Sequence, residues 1–147
     1  MIHVSSANSE LVRRFYEEVW DRGNVDVADE VFADDYVRHD SRPSQAEPGP
    51  AGQKRIAQNF RDAFPDLRFQ VEMIIADGDF VAARWTAEGT NTGPWGGQTP
   101  TGRHARFSGV NIFRFEDGKV GEIWNHRDDL GLMEQLGVRV FAGAETE

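Results

Sequence analysis

Between Asn8 and Asp21 the apolar residues Leu11, Val12, Phe15, Tyr16, Val19 and Trp20 recur every three or four positions. That spacing predicts an amphipathic helix, ended by Gly23. Asn24 is placed to cap a short second helix carrying Val27, Ala28, Val31 and Phe32. YVRHD (36–40) reads as a short strand, and SRPSQAEPGP, with three prolines, as a loop. Pro50 then opens a third helix whose face is Ile56, Ala57, Phe60, Ala63 and Phe64, and Pro65 ends it.

From there the period shortens to two, the signature of strands. Residues 68–77 put Phe69, Val71, Met73 and Ile75 on one side, and DGD turns the chain into a strand over 80–89. TNTGPWGGQTPTG connects this to a long strand over 105–115, and EDGK makes a hairpin into 120–125. A last helix begins near Asp128, carries Leu130, Leu132, Met133 and Leu136, and stops at Gly137; the tail AGAETE reads as unstructured. There is no repeat and no linker, so residues 1–147 read as one domain. Helices followed by a mostly antiparallel sheet predict an α+β fold, with the helices over a concave sheet face that encloses a conical pocket.

Strand parity assigns side chains to faces. On 105–115 the odd residues Ala105, Phe107, Asn111, Phe113 and Phe115 form the covered face, and Asn111 is its polar exception. A buried amide without partners costs about 1–3 kcal/mol, so Asn111 is either satisfied by neighbours or reserved for a ligand. A hairpin at EDGK sets Asn125 on the strand beside it. Two neighbouring amides can hold a carbonyl or enolate oxygen but cannot move a proton at neutral pH. His39, at a strand end, is either surface or pocket. Asp128 is either a helix cap or a catalytic acid. Trp85 shares a face with Val81, Ala83 and Ala87, as pocket wall or plain core. The opposite sheet face (Arg84, Arg106, Val110, Ile112, Arg114) mixes apolar and basic residues, which suits a subunit contact.

Composition narrows the classes. Acidic residues outnumber basic ones 25 to 16, a net charge of −9, and no basic run exceeds two, which argues against nucleic acid. The absence of cysteine removes disulfides and thiolate metal sites, and the four histidines lack metal-ligand spacing. No apolar stretch suits a membrane span or a leader, so a soluble cytoplasmic protein is expected. Sixteen aromatic residues serve either a ring-rich core or a ring-lined cavity. There is no phosphate loop and no G-x-S-x-G.

FRFEDGKVGEIWN and DDLGLMEQLG resemble the closing segments of the SnoaL-like polyketide and ester cyclases of the NTF2-like superfamily. LVRRFYEEVWDRGNVDVADEVFADDYVRHD, AFPDLRF and GTNTGPWGGQTPTGR are similar to the preceding ones. The resemblance implies a cone-shaped α+β barrel, a homodimer through the outer sheet face, and an aromatic or polycyclic ligand of secondary metabolism, as in antibiotic biosynthesis, held without metal or organic cofactor. Cyclases of this family close a ring by aldol condensation with an Asp acid/base and a His fourteen positions earlier. Those positions fall on Asn125 and Asn111 here, and Asn91 stands where many relatives have His. Related proteins of anthracycline pathways are hydroxylases. The candidate catalytic residues are therefore Asn111, Asn125, His39 and Asp128. The candidate substrate contacts are Tyr16, Trp20, Tyr36, Phe60, Trp85, Asn91, Trp95, Phe107 and Phe113. A small-molecule enzyme, a non-catalytic binding protein and an interaction module with a filled core are the readings to separate, in that order.

Overall fold

A computed structural model describes residues 4–41, 47–95 and 97–138. The tail AGAETE and the middle of the proline-rich loop lie outside the described residues. The opening helix starts earlier than its periodicity indicates. Helix α1 (Val4–Arg14) runs directly into a π-helical segment, Phe15–Asp21, which buries Phe15, Tyr16 and Val19. The wider turn persists to the end, where the Arg22 amide donates to the Glu17 carbonyl at 3.1 Å. The Arg61 guanidinium donates to the exposed carbonyls of Trp20 (2.6 Å) and Asp21 (2.8 Å), satisfying groups that a helix end leaves open.

Asn24 does not cap the next helix; its amide donates to Glu18 at 3.2 Å. A 3-10 turn, Val25–Val27, leads into α2 (Ala28–Val31). Phe32 already has extended backbone and starts β1 (Phe32–Asp40), a strand of nine residues where the sequence indicates five. Helix α3 (Gly49–Ala63) comes next, then β2 (Arg68–Asp77), β3 (Phe80–Thr90), β4 (His104–Glu116), β5 (Lys119–Arg127) and α4 (Asp129–Gln135).

The α+β architecture is as expected, and the five strands stand in the order β1-β5-β4-β3-β2. The sheet curls without closing: β1 and β2 are its two edges. Strands β2 to β5 pair antiparallel with their sequence neighbours, whereas β1 pairs parallel with β5. Phe15, Phe32, Phe64, Phe113, Ile123 and Leu132 form the fully buried centre between helices and sheet. Among the described residues no helix is long and apolar enough to cross a membrane.

Two bulges break the simple parity. Val71 pairs with Trp85 and Met73 with Arg84, so Glu72 is an extra residue. An extra residue reverses the alternation beyond it. Phe69 and Val71 therefore pack on the core with Ile74 and Ala76, while Met73 and Ile75, expected on the same side, turn outward and are more than half exposed. On β5 the extra residue is Gly121: Phe115 pairs with Val120 but Arg114 with Glu122. Val120 is thus fully buried, although parity puts it outside. A two-residue turn, Asp117–Gly118, with positive φ at both positions, makes the hairpin. Counting back from Glu116 opposite Lys119 without an extra residue sets Trp124 against Asn111. The Gly121 bulge replaces it with Asn125.

Candidate active site

Asp40, Asn125, Asn111 and Ala83 are register partners in one row across β1, β5, β4 and β3. The row faces the helices, and its polar members are linked. The Asn111 amide nitrogen donates to the Asn125 carbonyl at 2.7 Å, and the Asn125 amide nitrogen donates to Asp40 Oδ1 at 3.0 Å. Arg38, two residues along β1, donates to Asp40 Oδ2 at 2.8 Å and to Gln53 of α3 at 3.2 Å. At the other end, Asn111 Oδ1 accepts from the Tyr16 hydroxyl at 2.6 Å and from Trp85 Nε1 at 2.8 Å.

This chain has one direction. An indole N–H only donates, so the Asn111 oxygen must face Trp85. Its nitrogen must then face Asn125, which has to present its oxygen. The Asn125 nitrogen consequently points the other way, onto a carboxylate, which only accepts. The amide orientations are set by a donor-only group at one end and an acceptor-only group at the other. Asn125 turns its nitrogen, with one N–H left beyond the bond to Asp40, toward anything bound beside Asp40.

Local sequence makes each contact. The π-helical turn carries Tyr16, 2 % exposed, to Asn111, and burial keeps its phenol protonated far above its ordinary range, against the opposing charge of Arg38. Gly109 lies opposite Trp85 on β4. A Cβ at Gly109 would meet the indole ring at 2.4 Å and the His126 carbonyl at 2.6 Å, so only glycine lets Trp85 lie across β4 to reach Asn111. Burial raises the Asp40 carboxyl, but the hydrogen bond and charge of Arg38, the Asn125 amide and the charge of Arg127 outweigh it and hold Asp40 below the usual carboxylate range.

Asp40 and Asn125 open onto a cleft of about 830 Å³. Phe60 and Ile56 of α3, Trp95 and Arg127 share its wall with them. Behind Asn125 a throat of about 20 Å³ leads to Asn111, Trp85, Tyr16, Trp20 and Phe107. A space of that size holds about one water. Asn125 and Asp40 therefore stand on the cleft wall, while Asn111 stands behind them. Arg127 lies over the Phe60 ring, 4.6 Å from its centroid, and donates to Asp129. Among the described residues no three His, Asp or Glu side chains cluster with metal-binding geometry.

Several sequence candidates lie elsewhere. His39 points to the outer sheet face, bonded to Glu122 at 2.6 Å and stacked on Trp124, because it has the opposite parity to Arg38 and Asp40. Asp128 caps α4, accepting from the Gly131 amide at 2.9 Å. Asn91 braces a loop: its nitrogen donates to the Ala63 and Gly93 carbonyls and its oxygen accepts from the amide and hydroxyl of Thr101. Its hydrogen-bonding capacity is used within the protein. Tyr36 packs on Phe32, and Phe113 on Phe15 and Tyr16; both are core residues outside the cleft wall. Sequence reasoning missed Asp40, Arg38 and Arg127. The signal for the first two was present in Tyr36, Arg38 and Asp40, which share the parity of a buried ring.

The family profile of SnoaL-like polyketide cyclases matches residues 10–136. No curated protein matches the sequence. Among solved structures, a candidate polyketide cyclase from Acidithiobacillus ferrooxidans is 31 % identical over 92 % of this chain and 98 % of its own, with a TM-score of 0.78. The candidate polyketide cyclase IdmH from Streptomyces antibioticus is 30 % identical over 89 % of this chain and 99 % of its own, at 0.74. The candidate hydroxylase AclR from Streptomyces galilaeus is 28 % identical over 90 % and 97 %, at 0.79. With a profile match across most of its length and the same α+β fold, the chain belongs to the SnoaL-like polyketide cyclase family.

Proposed function

We propose that the protein is a small-molecule enzyme of secondary metabolism that acts on a polyketide-like aromatic or polycyclic carbonyl compound, by cyclase-type chemistry and without a cofactor. The observation that supports this reading is the directional amide chain, which presents the N–H of Asn125 to a cleft large enough for a polycyclic ligand. A fixed donor of this kind stabilises an oxygen on which negative charge develops. The open cleft weighs against an interaction module with no ligand space.

The test is incubation with a panel of open-chain aromatic polyketide esters, followed by chromatography and mass spectrometry. Aldol cyclisation gives a new peak of unchanged mass. Hydroxylation, the second reading, which the likeness to AclR favours, adds one oxygen atom. Ligand retained by the protein and recovered unchanged would mean binding only, and would end the enzymatic reading. On a substrate that turns over, Asn125→Ala is expected to lower kcat/KM about 30- to 1,000-fold. An unchanged value would remove Asn125 from the site.

The same reading includes a homodimer through the outer sheet face. Ile75, Ala82, Ile112 and Trp124 are register partners in one outward row, with Met73, Val110 and Phe80 beside it, and most of these apolar side chains are substantially exposed. Light scattering at micromolar concentration is expected to give twice the chain mass, and Ile112→Lys to give the monomer. A monomeric wild type would refute this.

A further inference from the structure

We propose that Asp40 is the catalytic base of this site, and that the group it acts on is a C–H next to a carbonyl whose oxygen rests on the Asn125 amide. The inference deepens the cyclase reading and rests on it for the identity of the full reaction. The family's acid/base position is held here by Asn125, which cannot exchange protons at neutral pH. The parallel pairing of β1 with β5 sets Asp40 directly beside it, with Oδ1 3.0 Å from the Asn125 nitrogen. A carboxylate thus stands one strand away from the position where the family carries one. Its side chain keeps 16 % exposure, and that exposure opens on the cleft.

Two features argue against a purely structural ion pair with Arg38. A structural pair has no need of the third contact from Asn125, nor of a place on the cleft wall. The amide chain behind Asn125 also fixes which partner it can take. Its oxygen is turned back toward Asn111 and its nitrogen toward Asp40, so a substrate acceptor can rest on the remaining Asn125 N–H, and Asp40 beside it is the group placed to receive the proton. In the first step the α C–H bond breaks and its proton passes to Asp40. The electron pair moves onto the carbonyl oxygen, held by the Asn125 N–H and facing the positive charge of Arg127. The enolate carbon then attacks a second carbonyl of the same molecule, forming the C–C bond. Asp40 returns the proton to the new alkoxide, and no co-reactant is consumed. Arg38 and Arg127 are the cations facing Asp40, and Asp62 of α3 and Asp129 are the other carboxylates on the cleft wall. The Arg38 pair keeps Asp40 ionised through the neutral range, so it is a weak base that is always ready.

The test uses a carbon acid that is independent of the native substrate. 5-Nitrobenzisoxazole opens to a coloured cyanophenolate when a base removes its C–H proton. Wild type is expected to accelerate this over buffer, Asp40→Asn to lose at least tenfold in kcat/KM, and His39→Gln, on the outer face, to match wild type. Because Asp40→Asn sets an amide against Arg38, Arg38→Gln serves as the second variant: it keeps the carboxylate and removes the charge that holds it low. Its acid limb in kcat/KM against pH is expected to move to higher pH. No rate above buffer, an Asp40→Asn rate equal to wild type, or an acid limb unmoved in Arg38→Gln would each overturn the assignment. If the polyketide esters stay unchanged while 5-nitrobenzisoxazole opens through Asp40, the base stands and the proposed reaction falls.

Discussion

Asn111→Leu is expected to cost about 3–5 kcal/mol of folding stability, read as the shift in a urea or guanidinium unfolding curve. Leucine has the same branched shape and a somewhat larger volume, so no cavity is made. It leaves three polar groups without partners: the Tyr16 hydroxyl, the Trp85 N–H and the Asn125 oxygen. Tyr16, Trp85 and Asn111 are each less than 7 % exposed, and the throat beside them has room for about one water, too few to replace three lost contacts. An orphaned buried polar group costs about 1–3 kcal/mol, whereas replacing both partners by apolar groups is close to neutral. Adding Tyr16→Phe to Asn111→Leu should therefore destabilise by much less than Tyr16→Phe alone does, and can restore stability. Strict additivity, or a loss below about 1 kcal/mol for Asn111→Leu, would mean that the amide chain does not act as one unit.

The second large effect is expected at Asn125→Asp. By family resemblance this change restores an acid; by geometry it sets a carboxyl within hydrogen-bonding distance of Asp40 Oδ1. Two carboxylates that close cannot both ionise, so the pair holds a proton and one apparent pKa rises above its unfolded value. A folded pKa raised in this way leaves stability intact below the unfolded carboxyl pKa and removes it as pH rises through the folded one. The variant should be near wild type at about pH 4 and weaker by about 2–4 kcal/mol at pH 8. Wild-type Asp40 has the opposite sign. Its pKa is depressed, so its contribution is present above the unfolded pKa and lost as acid protonates it. Unfolding curves at the two pH values decide the matter, and an equal loss at both would contradict the close approach of residues 125 and 40.

Much of the architecture could be read from periodicity, because the long strands carry clean alternation and the helices carry clean three- and four-residue spacing. The failures sit where one residue is inserted. Glu72 and Gly121 each reverse the facing of the residues beyond them, so simple parity puts Met73, Ile75 and Val120 on the wrong side. Nothing in a hydrophobic pattern marks a bulge when both faces of the strand are partly apolar, as on β2. The adjacency of Asn111 and Asn125 was legible, although it depends on the Gly121 bulge and not on a regular hairpin. The site's carboxylate was not legible, because β1 reaches β5 by a parallel pairing that no local turn announces. Residue type drew attention to His39, whereas parity with Tyr36 favoured its neighbours Arg38 and Asp40. Asp128 and Asn91 show a related lesson: a polar residue at a strand or helix end is commonly occupied by the backbone around it.

The pairing of β1 with β5 also sets the order of events when the chain folds. Asp40 and Asn125 are 85 positions apart in sequence, while the β4–β5 hairpin needs a turn of only two residues. Closing the long loop is entropically expensive and comes after local contacts have formed. The β3-β4-β5 meander is expected to assemble early and to carry Asn111 and Asn125 with it, and β1 to dock late on a sheet already formed. In stopped-flow refolding of a variant that keeps Trp85 as its one tryptophan, with Trp20, Trp95 and Trp124 replaced by Phe, the fluorescence should then recover before any ability to open the benzisoxazole. For a measurable interval the molecule would possess its amides without its carboxylate, folded in outline and chemically inert.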